Sequence, residues 1–395
     1  MKKVLNIITR ELKYISKSRL FVFALLVFPI LDILLLGGIY MSGTLTKLPI
    51  AVIDNDNTKI SRNIVRYFNA SPDMQLNYRL SNVNELHDLF NNQKAVLGLY
   101  IPKYTQKNIK RQKPTSITVF INSSNYIMGN MMDLDATTIL STIAAGVKYK
   151  TLTKKSVHPK QAIDLVQPVQ INQAKLFNPS LNYNFYLTPG IWLSVLHQLL
   201  ILVGALTISS EFDLRTIMLM LRISRKSLFK ALAGKMIVYC LFAFLHFAFL
   251  YFIIFPIFGI PIVYSKLAAM GLSLCFSFAS ISLGFFLASL LKTRMNTLKG
   301  CLLISAPAFL LSGYTWPLDQ MPKVLKTLVQ VIPLTPFLEV FRKIYQQNLG
   351  IEFTFYYLIQ LIGIGITYFY FSYCIISMRI YFLRKRSKGI LFTGY

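Results

Sequence analysis

Long apolar runs recur along the chain, separated by short segments dense in Lys and Arg, and one extended stretch after the first run keeps a different rhythm of brief apolar runs and turn residues. A helix needs about 20 apolar residues to cross a hydrocarbon layer about 30 Å thick. Six runs predict such helices, at 20–41, 188–209, 236–256, 264–291, 297–312 and 353–378, the fifth being short. Between the first two, residues 42–187 read as a soluble insertion, with strands at 50–53, 74–80, 95–101 and 116–121 and helices at 59–69, 83–91 and 126–145. Ser61 and Asn82 suit helix caps, Asp54 to Asn57 a turn, and the Lys-rich 103–113 a solvated face. The expected architecture is an α-helical integral membrane protein of six transmembrane helices with an inserted α/β extracytoplasmic domain.

The flanking segments have patterns of their own. Residues 1–19 place Leu5, Ile8, Leu12 and Ile15 at helical spacing with Lys2, Lys3, Arg10, Lys13 and Lys17 on other faces, as in an amphipathic helix lying in a membrane interface. Such a helix serves as a lipid anchor alone, or also as part of a docking surface for another protein. In the first span Pro29 removes a backbone donor and favours a kink. Asp32 is the one carboxylate inside an expected span and should face the bundle interior, a partner subunit or water. A role in a translocation path and a structural hydrogen bond are both open to it. His197 and His246 also fall in spans and read as packing residues. Segment 210–235 carries Leu214, Ile217, Leu219, Leu221, Leu228 and Leu232 among its charges, and such a face needs lipid or a partner to pack against.

Composition sharpens this picture. The chain of 395 residues is 54% hydrophobic, with 42 Lys+Arg against 15 Asp+Glu and a formal charge of +27. In a soluble chain that excess would suggest nucleic acid. Here twenty of the 42 basic residues flank one set of span ends, including 210–235 and the tail 379–395, and five flank the short segments opposite. Lys and Arg beside short loops are held on the cytoplasmic side, which predicts cytoplasmic termini, an outer insertion and membrane lipid, not nucleic acid, as the anionic partner. The first apolar run is longer than a signal peptide's, so it reads as an uncleaved anchor. Cys240, Cys275, Cys301 and Cys374 all lie in apolar runs, which argues for packing over a disulfide or CxxC site.

Catalytic chemistry finds little support. Asp54 and Asp56 lack the Gly and distal Glu of a calcium loop, and His87 and His158 are too few for zinc, so no metal site is expected. No nucleophile or acid/base set assembles, and the chain reads as a non-enzyme. The nearest approach to a phosphate-cradling GxxxxGK[ST] loop, Ala233-Gly234-Lys235-Met236, lacks its first Gly and its hydroxyl residue. The chain is expected to carry no cofactor of its own.

Four groups of residues then occur in order. They are Arg10-Glu11-Leu12 with Ser18-Arg19 before the Pro-containing first span, and Ile53-Asp54-Asn55-Asp56 followed by Ser61. After these come Glu211-Phe212-Asp213-Leu214-Arg215-Thr216 ending in Gly234-Lys235, and Leu311-Ser312-Gly313-Tyr314-Thr315-Trp316-Pro317 followed by Met321-Pro322, Pro333-Leu334-Thr335 and Arg342. Together they resemble the permease subunits of ABC-2 type exporters, in the bacterial branch with a large extracytoplasmic domain after the first span, and the likeness covers nearly the whole chain. Two departures stand out. Arg215 occupies the place of a usual Gly, and the Pro that commonly precedes the Ser-Arg pair is absent before Ser224-Arg225.

The resemblance implies as partners an ABC ATP-binding subunit, a separate ATPase that binds the ATP and Mg, and a second permease, identical or related, in a dimer in the bacterial cytoplasmic (inner) membrane. It assigns ATPase coupling to Glu211, Asp213, Arg215, Thr216, Ser224, Arg225, Gly234 and Lys235, and the interfacial helix to Arg10 and Glu11. It places Pro29, Asp32, Gly313, Trp316, Pro317 and Pro322 along a translocation path and outer gate, with short re-entrant helices over 313–352. The implied cargo is a hydrophobic or amphipathic drug-like molecule leaving the cytoplasm or inner leaflet, and a periplasmic adaptor with an outer-membrane channel is a further partner by the same likeness. A secondary transporter would instead show repeated halves and interrupted midplane spans, which the pattern lacks. An envelope scaffold or sensor is the remaining alternative.

Overall fold

The computed structural model describes residues 2–41, 43–168, 174, 176–178, 182–260, 266–291, 293–347 and 354–392. Lys292 and the expected span starts at residues 264 and 353 lie outside the described residues. The chain forms two units, Thr44–Ala174 and the remainder.

The helical unit begins with α1 (Lys2–Lys17) and α2 (Arg19–Ile39). On α1 the buried residues are Ile7, Glu11 and Ile15, while Leu5 and Leu12 of the apolar stripe are left uncovered by this chain. Within α2, Phe23–Val27 wind as a π-helix just ahead of Phe28-Pro29.

The inserted unit runs β1 (Leu48–Asp54), α3 (Lys59–Asn69), β2 (Met74–Arg79), α4 (Val83–Asn91), β3 (Leu97–Ile101), α5 (Thr105–Lys110), β4 (Thr118–Ile121), α6 (Tyr126–Lys154) and α7 (Pro159–Val166). The sheet order is β2-β1-β3-β4, with β1 parallel to both neighbours and β4 antiparallel to β3. β1 is an unbroken apolar run because both of its faces are covered: Ile50 and Val52 join a cluster with Phe68 and Met132, and Ala51 and Ile53 one with Leu86. The four expected strands and three helices form. Helix α6 continues well past residue 145, and α5 and α7 were not expected. Thr58, not Ser61, caps α3; Ser61 closes the capping box from the third helical position, while Asn82 caps α4 as expected. Asp54 Oδ1 accepts the backbone N–H groups of Asp56 and Asn57, and its Oδ2 accepts the Ser61 hydroxyl, which makes this segment a hydrogen-bonded turn.

The helical unit resumes with α8 (Tyr183–Asp213), α9 (Ile217–Ile223), α10 (Leu228–Ile257), α11 (Lys266–Leu290), α12 (Arg294–Leu311), α13 (Lys323–Val329), α14 (Leu334–Gln347) and α15 (Phe355–Phe392). Among the described residues α2, α8, α10, α11 and α15 are long and apolar enough to cross a membrane, and the α13–α14 pair, bent by 85°, makes a sixth if counted as one span. α12 forms at the place of the fifth expected span, but Arg294, Asn296 and Lys299 in its first turns keep it out of that set. α8 and α11 are mostly buried and α15 mostly exposed, so the first two helices are the centre of the unit. Gly284 permits their approach: a Cβ there would clash with the carbonyl oxygen of Ile201. The ring of Phe276 on α11 stacks on Phe337 of α14 at 3.9 Å, tying the bent pair to the same centre.

Candidate coupling site

Segment 210–235 is not one helix, and two tight turns account for that. α8 stops at Asp213, after which Arg215 N–H bonds the Phe212 carbonyl at 3.1 Å and Thr216 N–H bonds the Glu211 carbonyl at 2.9 Å. This paired closure requires a left-handed residue, and Arg215 supplies it at φ 54°. α9 ends the same way, with Arg225 N–H on Arg222 and Lys226 N–H on Leu221, and with φ 53° and 65° at Arg225 and Lys226. Ser224 is fully buried at this end and its hydroxyl bonds the Leu221 carbonyl at 3.0 Å. Past Ser227 no residue breaks the helix, so Leu228 to Lys235, expected in the loop, are the first turns of α10. Of the leucine-rich face, Ile217, Leu221, Leu228 and Leu232 pack on this chain, while Leu214 and Leu219 remain exposed with Met218.

These turns place three helices around a buried charge network. Arg10 donates Nη1 and Nη2 to Oε1 and Oε2 of Glu211 at 2.6 and 3.0 Å, a bidentate pair. The Thr216 hydroxyl donates to Glu211 Oε2 at 2.6 Å. Lys235 Nζ donates to Glu11 Oε1, to Glu211 Oε1 at 2.9 Å and to Thr207 Oγ1 at 3.0 Å, which uses all three of its protons. Glu11 Oε2 accepts the hydroxyls of Thr207 at 3.1 Å and Tyr239 at 3.3 Å. The Lys235 and Glu11 side chains are each 1% exposed, so the neutrality of two cations against two carboxylates matters: removing one would strand a buried charge at a cost of about 3–5 kcal/mol. Burial pulls the Arg10 pKa down, but the hydrogen bond and charge of Glu211 outweigh it and the net shift is upward. Gly234 lets α1 come this close, since a Cβ there would meet Ile7 Cγ2 at 2.8 Å.

The other two residues of the Glu211-Phe212-Asp213 triplet reach different elements. Asp213 Oδ2 accepts the Arg294 N–H at 3.0 Å, at the start of α12, where a carboxylate meets the helix dipole favourably. Arg379 of α15 lies 3.8 Å from the Phe212 ring centroid while its Nη1 donates to the carbonyls of Ala288, Ser289 and Leu291 at the end of α11. Three consecutive residues thus bind the end of α8 to α1, α10, α12 and α15. The end of α8 is thereby tied by polar and ring contacts to four other helices.

The sequence profile described as "ABC-2 family transporter protein" matches residues 19–374. The chain belongs to the ABC-2 transporter family. It is similar to the protein named probable multidrug ABC transporter permease YbhR of Escherichia coli (strain K12), at 22% identity over 335 residues covering 83% of this chain and 86% of that relative. The protein of the same name in Escherichia coli O157:H7 gives the same figures. The family match begins at residue 19, so Arg10 and Glu11 lie before it, and it is the structure that connects them to Glu211 and Lys235.

In this ABC-2 permease the remaining expected site residues lie apart from the network. Pro29 is buried in α2, and Asp32 is half-buried with no hydrogen-bond or ion-pair partner among the described residues. Gly313 ends α12 at φ 82°, Trp316 and Pro317 are exposed, and Pro322 precedes α13. The anchor of this region is Tyr314, not expected from sequence: its hydroxyl donates to the Tyr186 carbonyl while the Tyr186 hydroxyl donates to the Tyr314 carbonyl at 2.7 Å. Burial, then Tyr186, push the Tyr314 pKa upward. His197 is fully buried and stacked on Phe276, with no protein partner for either ring nitrogen among the described residues. Thr207 and Tyr239 also escaped the sequence reading, although each lies one helical turn from an expected residue, Thr207 from Glu211 and Tyr239 from Lys235.

Proposed function

We propose that this chain is the permease subunit of an ATP-driven exporter, with both termini in the cytoplasm of a bacterium, paired in a dimer and driven by two separate ATP-binding subunits. The observation that carries this reading is the buried network joining α1, α8 and α10, beside which Leu214 in the turn after α8 and Met218 and Leu219 on α9 are exposed for a partner. An ATPase pressing on α9 and α1 moves the end of α8 through Glu211 and Thr216, and α8 is one of the two central helices. Two alternative helix arrangements, whose balance the nucleotide state shifts, then carry the cargo across.

The cargo is a hydrophobic or amphipathic small molecule, a reading supported by the multidrug permease name of the Escherichia coli relatives. The aromatic residues from Phe242 to Phe252 do not form one lining: Phe247 and Tyr251 are buried, whereas Phe244 and Phe252 are exposed. A periplasmic adaptor and outer-membrane channel extend the proposal to a complete efflux path. The test is ATP turnover and transport of ethidium by the reconstituted complex. Glu211→Gln and Thr216→Val, expressed at normal levels, should keep basal ATP turnover and lose transport, and unaltered coupling in both variants would remove the assignment.

A further inference from the structure

The inserted unit contains a cavity of about 610 Å³ between α3, the α5 turn and α6, within the range of small-molecule sites. Its longest wall is one stripe of α6 at spacings of three and four residues, from Thr138 to Lys154. The chemistry changes along that stripe. Ile139, Ile143 and Val147 come first, opposite Ile60 and Ile64 of α3, and Lys150 and Lys154 follow, joined by Lys155 and by Lys110 of α5. The distance from Ile139 to Lys154 along the helix is about 22 Å.

The four lysines have no ion-pair partner among the described residues, and no carboxylate lines the cavity. Lys155 donates only to the neutral Gln112 Oε1, at 3.1 Å. At the middle of the stripe stands Gly146, where a Cβ would meet nothing within 4 Å. A glycine inside a helix costs stability and here gains no packing, so its effect is to leave the groove open between its apolar and cationic ends.

We propose that the inserted unit binds a single-chain anionic amphiphile, a long-chain carboxylate, with its apolar chain along Ile64, Ile139 and Ile143 and its headgroup among Lys110, Lys150, Lys154 and Lys155. This site stands on the inserted unit alone and is independent of the transport reading. A neutral drug of the same length lacks the charge that the lysine end selects, and a two-chain lipid exceeds the single groove.

The test is fluorescence titration of the full-length chain, in nanodiscs of zwitterionic lipid, with dansyl-labelled undecanoic acid, using protein-free nanodiscs as the blank. Saturable binding at one site per chain is expected. The Lys150→Glu/Lys154→Glu variant should bind about tenfold more weakly, and so should Gly146→Leu. An uncharged dansyl amide of the same chain length should also lose about tenfold. Unfolding temperatures establish that the variants are folded, and if Gly146→Leu is destabilised the charge-reversed variant decides. Binding no greater than to the blank, binding unchanged in the folded variants, or equal binding of the uncharged probe would each overturn the proposal.

Discussion

His246 on α10 places Nε2 2.6 Å from the carbonyl oxygen of Leu25 on α2. In an uninterrupted α-helix that oxygen would receive the N–H of the residue four positions on, but this residue is Pro29, which has none. In a membrane interior no water replaces the missing donor, so a neighbouring helix supplies it. The π-helical turn Phe23–Val27 leads into Phe28-Pro29, and in α10 the π-helical turn Leu250–Ile254 leads into Phe255-Pro256. Both helices therefore rewind just before a proline.

His246→Leu should cost about 1–3 kcal/mol, because it leaves a buried carbonyl unpaired. His246→Gln, which keeps a donor, should recover part of that. In a Pro29→Ala background, where the backbone donor returns, the cost of His246→Leu should fall by about 1 kcal/mol or more. Unfolding temperatures of the four-membered mutant cycle in nanodiscs check this, and an equal cost in both backgrounds would dismiss the link.

The charge network makes a second demand. Lys235→Met or Glu11→Leu alone should destabilise by about 3–5 kcal/mol, whereas the double variant keeps the cavity neutral through Arg10 and Glu211 and should cost well below the sum. Additive losses would mean that the four groups do not act as one. Because the Arg10 pKa is raised, its contribution is complete below its ordinary value and is lost only as pH rises through the higher one. The Arg10–Glu211 pair should therefore add no step to the unfolding temperature between about pH 6 and 9.

Gly234→Ala should push α1 away from α10 at a cost of about 1–3 kcal/mol, with Gly234→Leu worse. Limited proteolysis of the amino-terminal helix measures the release directly. Cleavage at the wild-type rate in both variants would contradict the close approach of Ile7.

The left-handed turn at Arg215 separates backbone from charge. Arg215→Gly should be tolerated or mildly stabilising, and Arg215→Val should cost about 1–3 kcal/mol, since a β-branched residue resists positive φ. If both variants unfold at the same temperature, the turn is not under this constraint.

Much of the fold was legible from sequence because the apolar runs and the turn residues of the insertion are local signals. Asn82 before Val83 and the four short strands are of this kind. The errors have one origin, which is that tertiary partners override a local pattern. The apolar spacing on α1 gave no sign that Glu11 is buried, because its partners Lys235, Thr207 and Tyr239 lie on other helices. Lys230 and Lys235 made the start of α10 look like a loop, although Lys235 is 1% exposed. The departure at Arg215 was visible, and its meaning became clear only with its φ. The sequence marked Glu211, Thr216 and Lys235 by likeness, and the structure supplied the reason they belong together.

The central claim is that a separate ATPase engages α9 next to this network. Its most direct test is a photo-crosslinker at Leu219, an exposed position, activated in native membranes and followed by mass spectrometry of the adduct. The account predicts an ABC-type ATP-binding subunit as the main crosslinked protein. Adducts with lipid alone, from a chain that still transports, would contradict it.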